Sequence, residues 1–186
     1  FPKAWKASWK TIRSGVVLGL LFGAGQILQA LGLTGTTASV NGFITGLYVV
    51  ITPLLAALFL GRKITKPVWV AVGFATVGLG SLAIDPSALS TGLGTGELLT
   101  FLGAVAYASH IVATGKLARR NNVASRGLYQ TLTIAVMTTL FAAPGGIILP
   151  SGISDWTAIA YLGIICGTVT VFLQSWAQTR VDATRS

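Results

Sequence analysis

All thirteen lysines and arginines of this 186-residue chain fall on alternate connections between long apolar runs. The runs are Ser14–Leu33, Val40–Leu60, Val68–Ile84, Glu97–Gly115, Gly127–Leu149 and Trp156–Ala177. Each is close to the roughly 20 residues that an α-helix needs to cross the hydrocarbon core of a bilayer. Lys3, Lys6, Lys10 and Arg13 precede the first run. Arg62, Lys63 and Lys66 join the second to the third, and Lys116, Arg119, Arg120 and Arg126 join the fourth to the fifth. Arg180 and Arg185 follow the sixth. The other connections, Thr34–Ser39, Asp85–Gly96 and Pro150–Asp155, carry neither residue type. Six crossings therefore put every cation on one side, which the positive-inside rule makes cytoplasmic. The fold class this predicts is all-α, a polytopic transmembrane helical bundle with six spans. The third span is the shortest, and Pro144-Gly145-Gly146 should kink or end the fifth.

Composition closes off the alternatives. The chain is 53% hydrophobic, with a mean hydropathy of +0.77. Charged residues make up 9%, against roughly 25% in a soluble domain. The 23 glycines suit helices packed closely in lipid. A net charge of +9 does not imply nucleic acid as a partner, because the cations sit in short groups between apolar runs rather than on one water-facing surface. Cys166 is the sole cysteine, so no intramolecular disulfide forms, and its apolar run predicts a small buried packing residue. His110 is the sole histidine; one histidine makes no metal site, and no cofactor is expected. Four acids, one histidine and one cysteine, mostly separated by whole spans, argue against a membrane enzyme. No GxxxxGK[ST] motif supports ATP as an energy source. The opening FPKAWKASWK spaces Phe1, Trp5 and Trp9 four apart, with lysines between them. Residues 1–13 read as a cytoplasmic interfacial segment, either an amphipathic helix or a loop with interfacial tryptophans. Phe1 in place of Met reads as a processed or partial chain.

The stretch GLYVVITPLLAALFLGRKIT, residues 46–65, holds Pro53 inside an otherwise apolar helix. Proline removes one backbone donor and clashes with the preceding turn. Lipid-embedded helices tolerate it where neighbouring helices or Ser/Thr hydroxyls satisfy the freed carbonyl, and Thr52 stands beside it. Gly61-Arg62-Lys63 ends the helix at the membrane surface, with Pro53 about 12 Å deeper. Pro53 is either a bend in a cavity-lining helix or a static packing kink.

LGLTGTTASVNGFITGLYVVITPLLAALFLGRKIT (residues 31–65) resembles the signature region of the drug/metabolite transporter superfamily, specifically its EamA-like family. A short loop of small residues leads into a helix bearing Asn41, a Thr52-Pro53 pair sits mid-helix, and Leu60-Gly61 precedes the charges. PVWVAVGFATVGLGSLAI resembles the closing helix of a repeat, and GELLTFLGAVAYASHIVATGKLARR the first helix of a second repeat. The resemblance implies a ten-helix transporter built from two inverted five-helix repeats, of which this chain looks like spans three to eight. Residues 14–84 would be the end of the first repeat, 85–96 an extracytoplasmic linker and 97–186 the start of the second. Within the chain, LQALGLTGTTAS (28–39) and LQSWAQTRVDAT (173–184) match at Leu28/Leu173, Gln29/Gln174, Thr34/Thr179 and Ala38/Ala183. Inverted repeats place substrate near the membrane midplane, between the halves.

Polar groups in lipid are costly and face partners or water. Asn41, Thr45, Tyr48 and Thr52 fall at i, i+4, i+7 and i+11, on one helical face. Gln26 and Gln29 are expected to share a face, as are Thr170, Gln174 and Gln178. Tyr107, His110 and Thr114 align on the fourth span, and Gln130 and Thr133 less closely on the fifth. The candidate substrate-binding residues are Gln29, Asn41, Thr45, Tyr48, Tyr107, His110 and Gln174, with Pro53 and Pro144 as kink or gating positions. These side chains either line a polar cavity or serve as interhelical glue at about 1 kcal/mol or less each. Glue or capping suits Asn41 and Thr45. The resemblance implies cavity lining for Tyr48, Gln29 and Gln174. His110 either couples protons or bonds across helices. Glu97 fits a helix start through the dipole. The expected function is secondary transport of small organic solutes, such as metabolites, amino acids or drugs, by alternating access in the plasma membrane. Its partners would be that solute and the lipid bilayer, with a homodimer left open. The alternatives are a non-transporting scaffold subunit and, behind it, a polytopic membrane enzyme.

Overall fold

Why the helices start and stop where they do is visible at their ends. The computed structural model describes residues 7–61, 65–83, 94–117, 123–146 and 151–177. Helix α1 runs unbroken over Trp9–Leu33, about 37 Å at 1.5 Å per residue, enough to cross a bilayer with some tilt. Trp9 to Arg13 are therefore the first turns of this span; residues 1–6 of the expected interfacial segment lie outside the described residues. Helix α2, Ala38–Gly46, is capped by Thr37, whose hydroxyl accepts the Val40 N–H at 3.3 Å. Helix α3, Tyr48–Leu60, ends on Gly61 at φ +62°, a left-handed position that suits glycine.

Helix α4 spans Lys66–Ala83 and α5 spans Thr95–Leu117. Glu97, in the first turn of α5, accepts the Gly94 N–H at 2.8 Å, closing one donor that the helix start leaves open. Helix α6, Val123–Ala142, ends in a 3₁₀ turn over Ala143–Gly145 that holds Pro144, so the proline and two glycines terminate this span as expected. The last run joins α7, Ile153–Ala160, through a π-helical segment, Tyr161–Val169, to α8, Thr170–Ala177. In the π segment Thr168 donates to the Gly163 carbonyl at 3.1 Å; at its C-cap Thr170 donates to that of Ile165 at 3.2 Å. Both reach five residues back along the wider turn.

Six helical runs thus stand where the sequence places six spans, and the described residues contain no strand. Four of them are long and apolar enough to cross a membrane: Trp9–Leu33, Ala38–Leu60, Thr95–Leu117 and Ile153–Gln174. Helices α4 and α6 take the other two expected positions. The chain is a multi-pass membrane protein. Large apolar side chains stand outward on these helices, among them Leu58, Phe59, Phe74 and Val77, as lipid-facing residues do.

The helices group into two compact units. One holds residues 21–116, and the other holds the start of α1 together with residues 117–182. In the first unit α2 and α3 pack on α4, and the second half of α1 packs on α5. In the other, the face Thr11–Gly15–Leu18–Gly19 of α1 is buried, and α6 also packs on α8. A Cβ at Gly15 would stand 2.8 Å from the Arg126 carbonyl oxygen, and one at Gly19 2.7 Å from that of Gln130. Only glycine permits this approach of α1 to α6, a GxxxG contact of the kind that brings helices together in lipid.

Two expectations change here. Cys166 is exposed rather than buried, because it lies in a run, α7 through α8, in which none of the described apolar side chains is buried within this chain. Arg126 is not a loop cation: it sits in the first turns of α6 with 2% of its surface exposed.

Candidate functional site

Gln29 is the centre of the polar chemistry in the unit of residues 21–116. On α1, Gly25, Gln29 and Gly32 stand at i, i+4 and i+7. On α5, Gly96, Thr100, Gly103, Tyr107, His110 and Thr114 form one buried or part-buried face. Glycines on both faces let the helices approach. A Cβ at Gly25 would fall 2.8 Å from the ring of Tyr107, and one at Gly103 would fall 3.1 Å from the Gly25 carbonyl oxygen. The Tyr107 ring consequently lies against the bare backbone of α1, and its hydroxyl reaches the next turn.

There the hydroxyl of Tyr107 donates to Gln29 Oε1 at 2.9 Å. The other end of the amide, Gln29 Nε2, donates to Thr45 Oγ1 at 3.0 Å. One side chain thereby bridges α1, α2 and α5. A second bridge runs beside it: Asn41 Nδ2 donates to the Gln29 carbonyl at 3.1 Å and to Thr100 Oγ1 at 2.9 Å, while Thr100 donates to the Gly96 carbonyl at 2.8 Å. Tyr48, the first residue of α3, sets its ring edge-on to Tyr107 at 6.4 Å. Phe22 stands edge-on to both Tyr107, at 5.3 Å, and His110, at 5.1 Å. His110 is buried, and its Nε2 lies 3.4 Å from the Thr114 hydroxyl, which donates to the His110 carbonyl at 2.8 Å.

Six of the seven residues singled out as substrate-binding thus meet in one place: Gln29, Asn41, Thr45, Tyr48 and Tyr107 directly, with His110 one aromatic contact away. Gln174, the seventh, lies part-buried on α8 in the other unit. Its expected face-mate Gln178 and most of the segment 173–184 lie outside the described residues. Capping is not the role of Asn41, because Thr37 caps α2; Asn41 cross-links helices instead. Gln26 does not join Gln29 in the α5 contact: it is exposed, on the side of Gln29 away from Gly25 and Gly32, which make that contact.

The helix interruption nearest Pro53 lies six residues before it. The helix is interrupted at Leu47, between α2 and α3, and Pro53 itself lies buried inside α3. Thr52 does not relieve the carbonyl four residues before the proline, that of Val49. It donates to the Tyr48 carbonyl at 2.6 Å. Thr100 and Phe22 were missed in the sequence. Extending the Tyr107–His110–Thr114 face backwards by whole turns leads to Thr100, whereas Phe22 carries no polar signal.

What this arrangement can do is exchange hydrogen bonds. Gln29, Thr45 and Tyr107 offer donors and acceptors on three helices, bordered by aromatic rings and free of acids. Such a set suits a small polar molecule held by neutral hydrogen bonds and ring faces.

The profile of the EamA-like transporter family matches residues 1–83 and 94–186. A protein of Archaeoglobus fulgidus named as an uncharacterized transporter is 26% identical over 187 residues, covering 96% of this chain. The chain spans 55% of the length of that curated relative. With the profile matching all but residues 84–93, the chain belongs to the EamA-like transporter family.

Proposed function

We propose that the protein is a secondary transporter of small polar organic solutes, such as metabolites, amino acids or drugs, working by alternating access in the plasma membrane. The observation that carries this reading is the Tyr107–Gln29–Thr45 hydrogen-bond chain across α1, α2 and α5. A solute amide, amine or hydroxyl can take the place of the Tyr107 or Thr45 hydroxyl on Gln29, trading one hydrogen bond for another at small net cost. The rings of Tyr48, Tyr107 and Phe22 would hold its apolar part. Residues 14–84 and 97–186 are read as parts of two inverted repeats, with the solute site between halves that rock about the midplane. Gln174 is read as the position of the second repeat that matches Gln29 in sequence.

A scaffold subunit is the second reading. It draws on the same bonds, which serve equally as interhelical glue. Flux measurements on the full-length native protein in proteoliposomes, with a panel of labelled amino acids and other small metabolites, separate the two. Transport predicts uptake of at least one solute, reduced at least about tenfold by Gln29→Leu while the helical circular dichroism is kept. Flux unchanged by Gln29→Leu, with altered assembly, would remove Gln29 from the solute path and favour the scaffold.

A further inference from the structure

Arg126 is the one described cation buried in the protein, and its surroundings do not satisfy it. Its Nη1 donates to the Leu117 carbonyl at 2.6 Å, at the end of α5. Its Nε and Nη2 are fully buried and have no hydrogen-bond partner among the described residues. These two atoms form the side edge of the guanidinium, whose parallel N–H groups match the oxygens of a carboxylate or phosphate. An arginine stays charged in proteins, so an open buried edge carries a large cost, which an anion offsets more fully than a neutral acceptor does.

The chain itself supplies few anions. Of its four acids, the six-span reading places Asp85, Glu97 and Asp155 on the side opposite Arg126, leaving Asp182 alone on the same side. The packing also fixes the helix turn that carries Arg126. Glycine at position 15 brings α1 against the backbone of Arg126, and Thr11, four residues earlier on that face, is likewise buried. Lys10 and Arg13 flank Thr11 on the exposed side of α1, so local charge favours an incoming anion.

We infer that the Nε–Nη2 edge of Arg126 is an anion site for a phosphate group, where α1 and α6 meet on the lysine- and arginine-bearing side of the membrane. Basic pockets between membrane helices on that side take phospholipid headgroups, and arginine is suited to phosphate through its fork. The phosphate belongs to an anionic lipid or is free in solution, and the two are separable by experiment. The inference does not rest on the transport reading.

The test uses the native full-length protein and thermal unfolding. In phosphatidylcholine nanodiscs, phosphatidylglycerol is titrated in at constant total lipid. In detergent, inorganic phosphate is titrated against chloride at equal ionic strength. A saturable rise in Tm is expected for the wild type with at least one of the two. A response to phosphatidylglycerol alone assigns the lipid, and a response to inorganic phosphate in detergent assigns the free anion. R126Q should weaken the apparent affinity at least about tenfold. R126K, which keeps the charge but not the fork, should retain an intermediate affinity and covers the case in which R126Q does not fold. K10Q should stay within about twofold. The inference is overturned if neither anion shifts the wild type, or if R126K and R126Q respond as the wild type does. It is equally overturned if D182N destabilises the protein as R126Q does while phosphate has no effect, because Arg126 would then be paired within the chain.

Discussion

Gln29 spends both ends of its amide on side chains of other helices, and this decides how the site answers to substitution. Replacing it by leucine strands the Tyr107 hydroxyl and the Thr45 hydroxyl together. Replacing Tyr107 by phenylalanine strands only Gln29 Oε1 and leaves the ring packed on Gly25. Interhelical hydrogen bonds in membrane proteins average about 0.6 kcal/mol and reach about 1.7. A double-mutant cycle of Gln29→Leu and Tyr107→Phe, read by reversible unfolding in detergent, should therefore give a coupling of about 0.6–1.7 kcal/mol. A coupling indistinguishable from zero would mean that the bond contributes nothing to holding α1 on α5. At this scale the sequence was legible where polar residues recur at helical spacing. Asn41, Thr45 and Tyr48 remain on one side of the chain even though the helix is interrupted between them. Phe22 and the glycines of α1 and α5 were not legible as site elements. Their role is to set how near the helices come, and that depends on which faces meet.

Interruption of the second span illustrates the same limit for a whole element. Proline signals a broken ladder, and the sequence places the irregularity at Pro53. In the structure it falls at Leu47, whose N–H reaches the carbonyls of both Ile44 and Thr45, directly after Gly46. Glycine is about 1 kcal/mol less favourable than alanine in a helix interior, so an interruption costs least there. Pro53 instead packs within α3, buried next to Thr52 and near Ala56. We expect Pro53→Ala to leave the interruption in place and Gly46→Ala to reduce it. Amide hydrogen exchange over residues 44–50 is the readout: it should slow about fivefold in Gly46→Ala, the factor that about 1 kcal/mol gives, and stay within about twofold of wild type in Pro53→Ala. The reverse ranking would tie the interruption to the proline. The start of the fifth span was misplaced for a related reason. Arg126 looks like a loop cation in a linear reading, yet a helix that begins at Val123 carries it inside, against the glycine face of α1.

For the molecule as a whole, the sorting of charge is the strongest constraint, because it couples every helix to one orientation. The order of the six runs was legible because hydropathy is summed over about twenty residues and single exceptions average out. The fate of individual faces was not. The run from α7 to α8 is as apolar as the others, but none of its described apolar side chains is buried within this chain, so Cys166 stands exposed. That exposure also governs how orientation is measured, since Cys166 must first be replaced by alanine. In that background, single cysteines at Lys10 and Lys66 report the basic side, and cysteines at Thr36 and Ser151 report the other; all four positions are exposed or part-exposed. A membrane-impermeant maleimide applied to intact cells should label the cysteines at 36 and 151 and spare those at 10 and 66. Inside-out vesicles should give the opposite pattern. Labelling of 10 and 66 from outside would reverse the orientation while keeping the number of crossings. Labelling of 36 and 151 from opposite sides would mean an odd number of crossings between them, which four spans, α2–α3 through α6, do not allow.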